Sequence, residues 1–135
     1  MGTRSLTYVY IENTPVVCMY RQFDGYPTGH GQEMAEFINQ FTIVNGLGLN
    51  ENRMVANGMG CLAAQMIAHF KTEPGQFYLY PVKQNQSCGQ EYEYHLYENK
   101  VKIVETNSSG AALFEGTWTE FKEYCSVERY EEVTQ

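Results

Sequence analysis

The apolar residues of this sequence repeat with two different periods, and the change between them constrains the fold more than any other feature. Residues 4–11 alternate in side-chain character as a β-strand does, with one face made of Leu6, Tyr8 and Tyr10. After residue 32 the spacing becomes i, i+3, i+4, i+7, which is the stripe of an amphipathic helix: Met34, Phe37, Ile38 and Phe41. The first half of the chain therefore predicts strands followed by a helix.

A second strand is expected at residues 15–22, because this β-prone run follows the first across a short connection and so completes a hairpin. Residues 50–57 contain three Asn turn residues and follow Gly46 and Gly48, so they predict a loop, the most mobile segment of the chain. Residues 60–70 are apolar nearly all round, which predicts a second helix covered on most of its sides.

The strand pattern returns after Pro74. Further strands are expected at residues 77–82, 91–97, 101–105 and 111–114, and those at 91–97 and 101–105 should form a second hairpin across residues 98–100. The strand at 77–82 is apolar on both faces, which predicts a place in the interior of the sheet. Thr117 and Glu120 then fit the T-x-x-E capping box, which predicts the start of a short helix.

This order of elements predicts the α+β class. We expect a mainly antiparallel sheet of five to six strands, with two central helices and a short C-terminal helix. The 135 residues, 43% of them hydrophobic, are the right amount for one globular domain spanning 1–135. Residues 128–135 are charged and predict a flexible tail.

Charge and composition exclude several classes of protein. A formal charge of −7 repels a nucleic-acid backbone, so we expect no polymeric DNA or RNA as partner. No apolar run is long enough to cross a membrane and the N-terminal residues lack the order of a secretory signal, so we expect a cytoplasmic protein that binds no membrane. The four cysteines form no CxxC pair, and neither His30 nor His69 has a second histidine at i+4. We therefore expect no metal and no cofactor.

Both central helices are entered through a glycine pair, Gly29 and Gly31 before the first and Gly58 and Gly60 before the second. Glycine allows close approach of the backbone to a ligand, and a helix N-terminus favours an anion. Residues near these pairs supply cationic, amide, carboxylate, aromatic and imidazole groups. The candidate ligand-binding residues are Arg4, Arg21, Gln22, Asp24, Tyr26, Gly29, His30, Gly31, Asn57, Gly58 and Gly60. They predict a pocket for a small phosphate-bearing ligand, bound without turnover, although residues 24–27 also fit an ordinary turn.

An enzymatic alternative rests on Cys61. This cysteine lies at the predicted N-terminus of the second helix, where the helix dipole lowers the pKa of a thiol. His95 and then Glu105 or Asn107 follow on later strands, in the chain order of papain-like amidases and peptidases. The strand period opposes this alternative, because it turns His95 away from the core and toward solvent.

A third possibility is a protein-interaction module. The strands at residues 77–80 and 92–97 are rich in tyrosine and could present a face for self-association or for a host protein. Open sheet edges commonly pair, so we expect a homo-oligomer.

Two short motifs carry a resemblance. The chain begins Met-Gly-Thr-Arg, and residues 20–31 fit the pattern Y-x-Q-x-DGYP-x-G-x-G. With these motifs the first quarter of the chain resembles a family of small uncharacterised proteins found in phages, bacteria and fungi. Small phage proteins of this size often oppose host defences, some by sequestering nucleotide signals. The resemblance therefore implies a counter-defence protein that sequesters a nucleotide-derived signalling molecule.

Overall fold

The computed structural model describes residues 2–48, 54–83, 87–106 and 112–128. The strands are β1 (Ser5–Ile11), β2 (Thr14–Arg21), β3 (Thr42–Val44), β4 (Val55–Asn57), β5 (Phe77–Tyr80), β6 (Tyr92–Leu96), β7 (Val101–Glu105) and β8 (Ala112–Gly116). The helices are α1 (Gln32–Ile38), α2 (Gly58–Phe70) and α3 (Trp118–Glu123). A single wide helical turn precedes α1 at Pro27–Gly31, and another follows α3 at Tyr124–Glu128.

Six strands form one mixed, mostly antiparallel sheet in the spatial order β5-β2-β1-β6-β7-β8. The β1–β2 and β6–β7 pairs are the two expected hairpins, and β8 is the expected additional strand. The parallel pairing of β1 with β6 joins them, and Tyr8 lies opposite His95 across it. The α+β prediction is therefore confirmed, with one parallel pairing that the sequence analysis did not contain.

The two faces of the sheet bury different sets of residues. One face packs against all three helices and forms the main core, with Met34 of α1, Leu62 of α2 and Phe121 of α3 completely buried. The opposite face, which we call the outer face, carries a smaller cluster made of Leu6, Tyr8, Cys18 and Tyr20. The alternation of Leu6, Tyr8 and Tyr10 in the sequence thus belongs to the outer face.

Two burial predictions are wrong. α2 is covered on one side only, because Ala64 and Ala68 face solvent and their small methyl groups cost little to expose. β5 lies at the edge of the sheet and not in its interior, and Leu79 is 60% exposed. The continuous apolar run that indicated a central strand instead marks an edge with uncovered side chains.

Two local predictions have mixed outcomes. Residues 55–57 are not loop but form β4, which pairs in parallel with β3 as a separate two-stranded sheet. α1 ends at Ile38, so Phe41 lies beyond the helix, although its ring still packs against Phe37 at 4.8 Å between centroids. The remaining part of the expected loop, 50–53, and most of the expected tail, 129–135, lie outside the described residues.

α2 runs along the β1–β2 hairpin from its turn to its open end. At the first end, Gly60 lies against Ile11, since an added Cβ would be 3.4 Å from the Ile11 Cδ1 atom. At the other end, Phe70 stacks on Phe77 at 5.3 Å, and Phe77 pairs with Arg21. A helix of 13 residues is roughly 20 Å long, so these two ends are far apart.

Within the described residues no helix is both long and apolar enough to cross a bilayer.

Candidate functional site

The Arg21 side chain is the centre of the first predicted site. It is buried under the helices, where it donates to the Phe23 carbonyl oxygen, to Nδ1 of His30 at 3.2 Å and to Oε1 of Glu33 at 2.6 Å. Its guanidinium also lies 5.1 Å from the centre of the Phe77 ring. Carboxylate oxygens of Glu33 and, at 4.0 Å, Asp24 offset its positive charge. The group is therefore committed to the protein and presents no uncompensated cation to a phosphate.

His30 is a structural residue in this cluster. An arginine can only donate, so Nδ1 of His30 accepts and Nε2 carries the proton, which it donates to Oγ1 of Thr7 at 3.1 Å. Complete burial, followed by the charge of Arg21, lowers the pKa of His30 to about 3. The imidazole is thus neutral at physiological pH, with both nitrogens bonded inside the protein.

The glycines of this turn serve close packing. A Cβ at Gly29 would lie 2.5 Å from the Asp24 carbonyl oxygen, and one at Gly31 would lie 2.9 Å from Sγ of Cys125. Tyr26 is exposed, and its hydroxyl donates to Asp24 at 3.1 Å. Glycine is therefore required at these two positions because a larger side chain has no room, and no ligand is needed to explain it.

The other predicted binding residues lie elsewhere. Gln22 accepts from the Tyr20 hydroxyl at 2.7 Å on the outer face, opposite to Arg21. Arg4 is beside Gly89, where an added Cβ would be 2.8 Å from its guanidinium. Residues Asn57, Gly58 and Gly60 lie at the N-terminal end of α2, whereas His30 packs against Phe70 at the opposite end, with 5.4 Å between ring centroids. The structure therefore does not bring the two glycine pairs into a single pocket.

Cys61 and His95 lie on opposite sides of the sheet. Cys61 is on α2 and packs against the main core, with its Sγ 3.4 Å from Oε1 of Gln65. His95 is on the outer face, stacked on Tyr8 at 5.3 Å. Glu105 pairs with Tyr92 near the far end of the β6–β7 hairpin, and Asn107 lies outside the described residues. The structure therefore does not bring Cys61 and His95 together, because the sheet lies between the two side chains.

The outer face contains a cleft that the sequence analysis missed. Its volume is about 470 Å³, within the range of small-ligand sites. We call it the outer-face cleft; its lining residues are Tyr8, Tyr10, Pro15, Val82, Lys83, Glu93 and His95. They come from β1, the start of β2, the segment after β5, and β6. The parallel β1–β6 pairing is what brings the aromatic row of β1 beside the polar row of β6.

A chain of polar contacts runs along the wall of this cleft. Nε2 of His95 is 3.3 Å from Oε1 of Glu93, and Nδ1 of His95 is 2.7 Å from the Tyr10 hydroxyl. A carboxylate can only accept, so with a neutral imidazole Nε2 donates to Glu93 and the Tyr10 hydroxyl donates to Nδ1. The prediction that His95 faces away from the core is confirmed, but the side chain is 18% exposed and not solvated.

The protonation states follow from these contacts. Hydrogen bonding from His95, with a smaller contribution from Gln90, lowers the pKa of Glu93 despite its partial burial. Burial raises the pKa of Tyr8 and of Tyr10 well above the usual range of a phenol. At neutral pH the cleft therefore contains one carboxylate and two protonated tyrosines.

The alternation of Tyr8 with Tyr10 and of Glu93 with His95 is visible in the sequence. It could have indicated an aromatic row and a polar row, but not that the two rows are neighbours in the sheet.

No protein-family model, curated protein or solved structure matches this chain. Among the described residues, no three His, Cys, Asp or Glu side chains are grouped as a metal site would require.

Proposed function

We propose that the protein binds a small molecule with a planar ring in the outer-face cleft and releases it chemically unchanged. The observation that carries this proposal is the connected chain from Tyr10 through His95 to Glu93, which borders a cavity of about 470 Å³. Aromatic walls with a few convergent polar groups are the usual composition of a small-ligand site.

The aromatic residues favour a flat ligand. Tyr8 and His95 stack with an angle of 6° between their planes, and Tyr10 stacks on Tyr97 at 4.2 Å. Rings held in this way cannot rotate freely, so they offer a rigid surface at little entropic cost to the ligand. Pro15 and Val82 add apolar surface to the same cleft.

Binding without turnover suits the chemistry of these groups. Both tyrosines remain protonated at neutral pH, because burial raises their pKa values, and their rings act as stacking surfaces. Cys18, which lies opposite Tyr8 on β2 in the outer-face cluster, is also kept protonated, since burial raises its pKa to about 11. None of these three side chains, Tyr8, Tyr10 and Cys18, has the lowered pKa that an activated thiol or phenol nucleophile needs.

Lys83, and not Arg21, is the candidate to bind a phosphate group of the ligand. Lys83 is exposed at the cleft, and no ion pair of this lysine is seen within the described part of the chain. A nucleotide-derived signal, with its ring in the cleft and its phosphate at Lys83, remains the ligand class to test first. Sequestration of such a signal would fit the counter-defence role that the family resemblance implies.

The test is to incubate the protein with a panel of small nucleotides, separate it from free ligand, denature it and analyse what is released. We expect intact ligand to be recovered from the wild type, and recovery to fall at least tenfold for His95→Ala, which removes the centre of the polar chain. Tyr78→Phe is the matched control, because Tyr78 is exposed on β5 and does not line the cleft.

Each outcome has a distinct meaning. Loss of ligand in His95→Ala but not in Tyr78→Phe supports the proposal. Chemically altered ligand would replace it with an enzymatic function. No retention of any ligand, or equal loss in both variants, would overturn it.

A second candidate, a protein-interaction surface, is favoured by β5. This edge strand exposes Tyr78, Leu79 and Tyr80, and Val82 just beyond it is 38% exposed. Tyr92 and Tyr94 do not contribute, because they pack on the core side of the sheet. Light scattering of the wild type beside Leu79→Lys tests self-association: a dimer that the substitution dissociates supports this candidate, and a wild-type monomer contradicts the expected homo-oligomer.

A further inference from the structure

Glu93 is a charged group of the outer-face cleft whose carboxylate can accept further hydrogen bonds. Its Oε2 accepts from Nε2 of Gln90 at 3.0 Å, and its Oε1 faces Nε2 of His95 at 3.3 Å. Each carboxylate oxygen can accept two hydrogen bonds, so one acceptor position per oxygen remains. The Glu93 side chain is 23% exposed and lines the cleft, where a ligand can reach it.

Within the described part of the chain, no lysine or arginine forms an ion pair with Glu93. Among the described residues its only ion-pair partner is His95, whereas Glu33 is paired with Arg21 and Glu115 with Lys100. Hydrogen bonds from Gln90 and His95 orient the carboxylate. A carboxylate held in this way attracts a group with several N–H donors.

The walls restrict the shape of that group. Tyr8 and Tyr10 stand beside Glu93 and His95 because β1 and β6 are neighbours, and their rings line the same cleft as the carboxylate. A planar group fits such walls better than a tetrahedral one. Two parallel N–H groups on one planar edge would use both remaining acceptor positions of Glu93 at once.

We propose that Glu93 recognises a planar edge with two adjacent N–H donors, as in guanine or in a guanidinium group. This inference rests on the proposed function, because it concerns the same cleft. Guanine presents its N1–H and its exocyclic amino group side by side, and guanidinium presents the same pair with a positive charge. Adenine presents one donor beside an acceptor, and that acceptor would face the carboxylate.

The size of the preference follows from the hydrogen bonds at stake. A hydrogen bond to a charged group contributes roughly 10- to 100-fold in affinity, so a ligand with both donors should bind at least tenfold more tightly than one with a single donor. Glu93→Gln replaces one acceptor oxygen with an amino group and should remove this preference, while its volume is unchanged.

Isothermal titration with matched probes tests the inference. GMP, IMP and AMP carry the same phosphate and differ at the ring edge, with two adjacent donors only in GMP. N-acetylarginine amide and N-acetyllysine amide carry the same charge, and only the first has the planar edge. We expect at least a tenfold preference for GMP in the first set or for the arginine derivative in the second, which identifies the source of the edge.

The variants locate the effect. The preference should disappear in Glu93→Gln and persist in Glu98→Gln, where the exposed glutamate lies just after β6 and does not line the outer-face cleft. If Glu93→Gln does not fold, the comparison of probes on the wild type still decides. Equal affinities within both sets, or a preference that survives Glu93→Gln, would overturn the inference.

The two proposals fail in different ways. Binding of any probe that is lost in His95→Ala but shows no preference for the two-donor edge leaves the cleft as a ligand site and contradicts the role of Glu93. Absence of binding by every nucleotide and both amino-acid derivatives contradicts both.

Discussion

The guanidinium of Arg21 donates a hydrogen bond to Nδ1 of His30 across 3.2 Å, and both side chains are buried. This contact fixes the neutral tautomer of His30, since a proton on Nδ1 would break the bond and place two positive charges side by side. The pair joins β2 to the turn before α1 and so holds the helical layer on the sheet. Two residues that the sequence indicated as ligand-binding groups are therefore partners of each other.

His30 should make the stability of the protein depend on pH. Its pKa is about 3 in the folded state, against 6.5 for an unperturbed histidine. Above pH 6.5 it is neutral in both states and has no effect. Between pH 6.5 and 3 only the unfolded state binds the proton, so the free energy of unfolding should fall as the pH falls, by on the order of 1 kcal/mol per pH unit.

Urea unfolding at a series of pH values measures this dependence. His30→Gln is the control, because it lacks the titrating group while the carboxylates remain. We expect the variant to be less stable at pH 7 and to show a flatter profile between pH 6.5 and 4. Parallel profiles for the two proteins would show that His30 titrates normally.

Replacement of Arg21 should damage folding and not a ligand site. Arg21→Met leaves the buried Nδ1 of His30 without its donor and should cost about 2–4 kcal/mol of stability. Glu33→Gln removes the other end of the same cluster, but the Glu33 side chain is 52% exposed, so it should cost less than about 1 kcal/mol. Denaturant titration of both variants checks the difference, and equal small losses would mean that the buried pair is unimportant.

The amount of structure that the sequence could predict depends on how local the cause is. The β6–β7 hairpin and the start of α3 were predicted because their signals lie within a few neighbouring residues. The pairing of Tyr8 with His95 could not be predicted, since it joins strands 87 positions apart in the chain and depends on how the whole sheet assembles.

The candidate site illustrates the same limit. The residues around Arg21 carry the chemical groups expected of a binding pocket. Their identities alone do not show that the Arg21 guanidinium is already hydrogen-bonded to His30 and Glu33. His95 was assigned to the correct face, yet its contacts with Tyr10 and Glu93 required knowledge of the neighbouring strand and of the other residues on its own. Sequence reasoning therefore found the groups and missed their partners.

The glycines at the start of α2 should respond differently to alanine. Gly58 has φ of +84°, a conformation that costs an alanine about 1 kcal/mol or more, although an added Cβ would have open space there. Gly60 has helical geometry, and its added Cβ would be at an ordinary contact distance of 3.4 Å from Ile11. Gly60→Ala should therefore stabilise the protein by up to about 1 kcal/mol.

Thermal unfolding of the two glycine variants compares them directly. If this end of α2 is structural, ligand binding at the outer-face cleft should be the same in both. Loss of binding in Gly60→Ala without loss of stability would instead restore a functional role to this glycine pair.

The capping box of α3 offers the most local prediction. The Thr117 hydroxyl accepts from the Glu120 amide at 3.1 Å, and the Glu120 carboxylate accepts from the Thr117 amide at 2.8 Å. Thr117→Ala removes the first bond and should lower the free energy of unfolding by about 1 kcal/mol. Thr119→Ala makes the same change two residues later, at an exposed position inside the helix, where alanine is the better helix former and stability should be unchanged or slightly higher. Chemical denaturation distinguishes the two variants, and equal losses would mean that the effect is a general one of replacing threonine and not of the cap.

Because α3 places Phe121 in the main core, fraying of its first turn should also loosen the packing of Phe121 against β6 and β7.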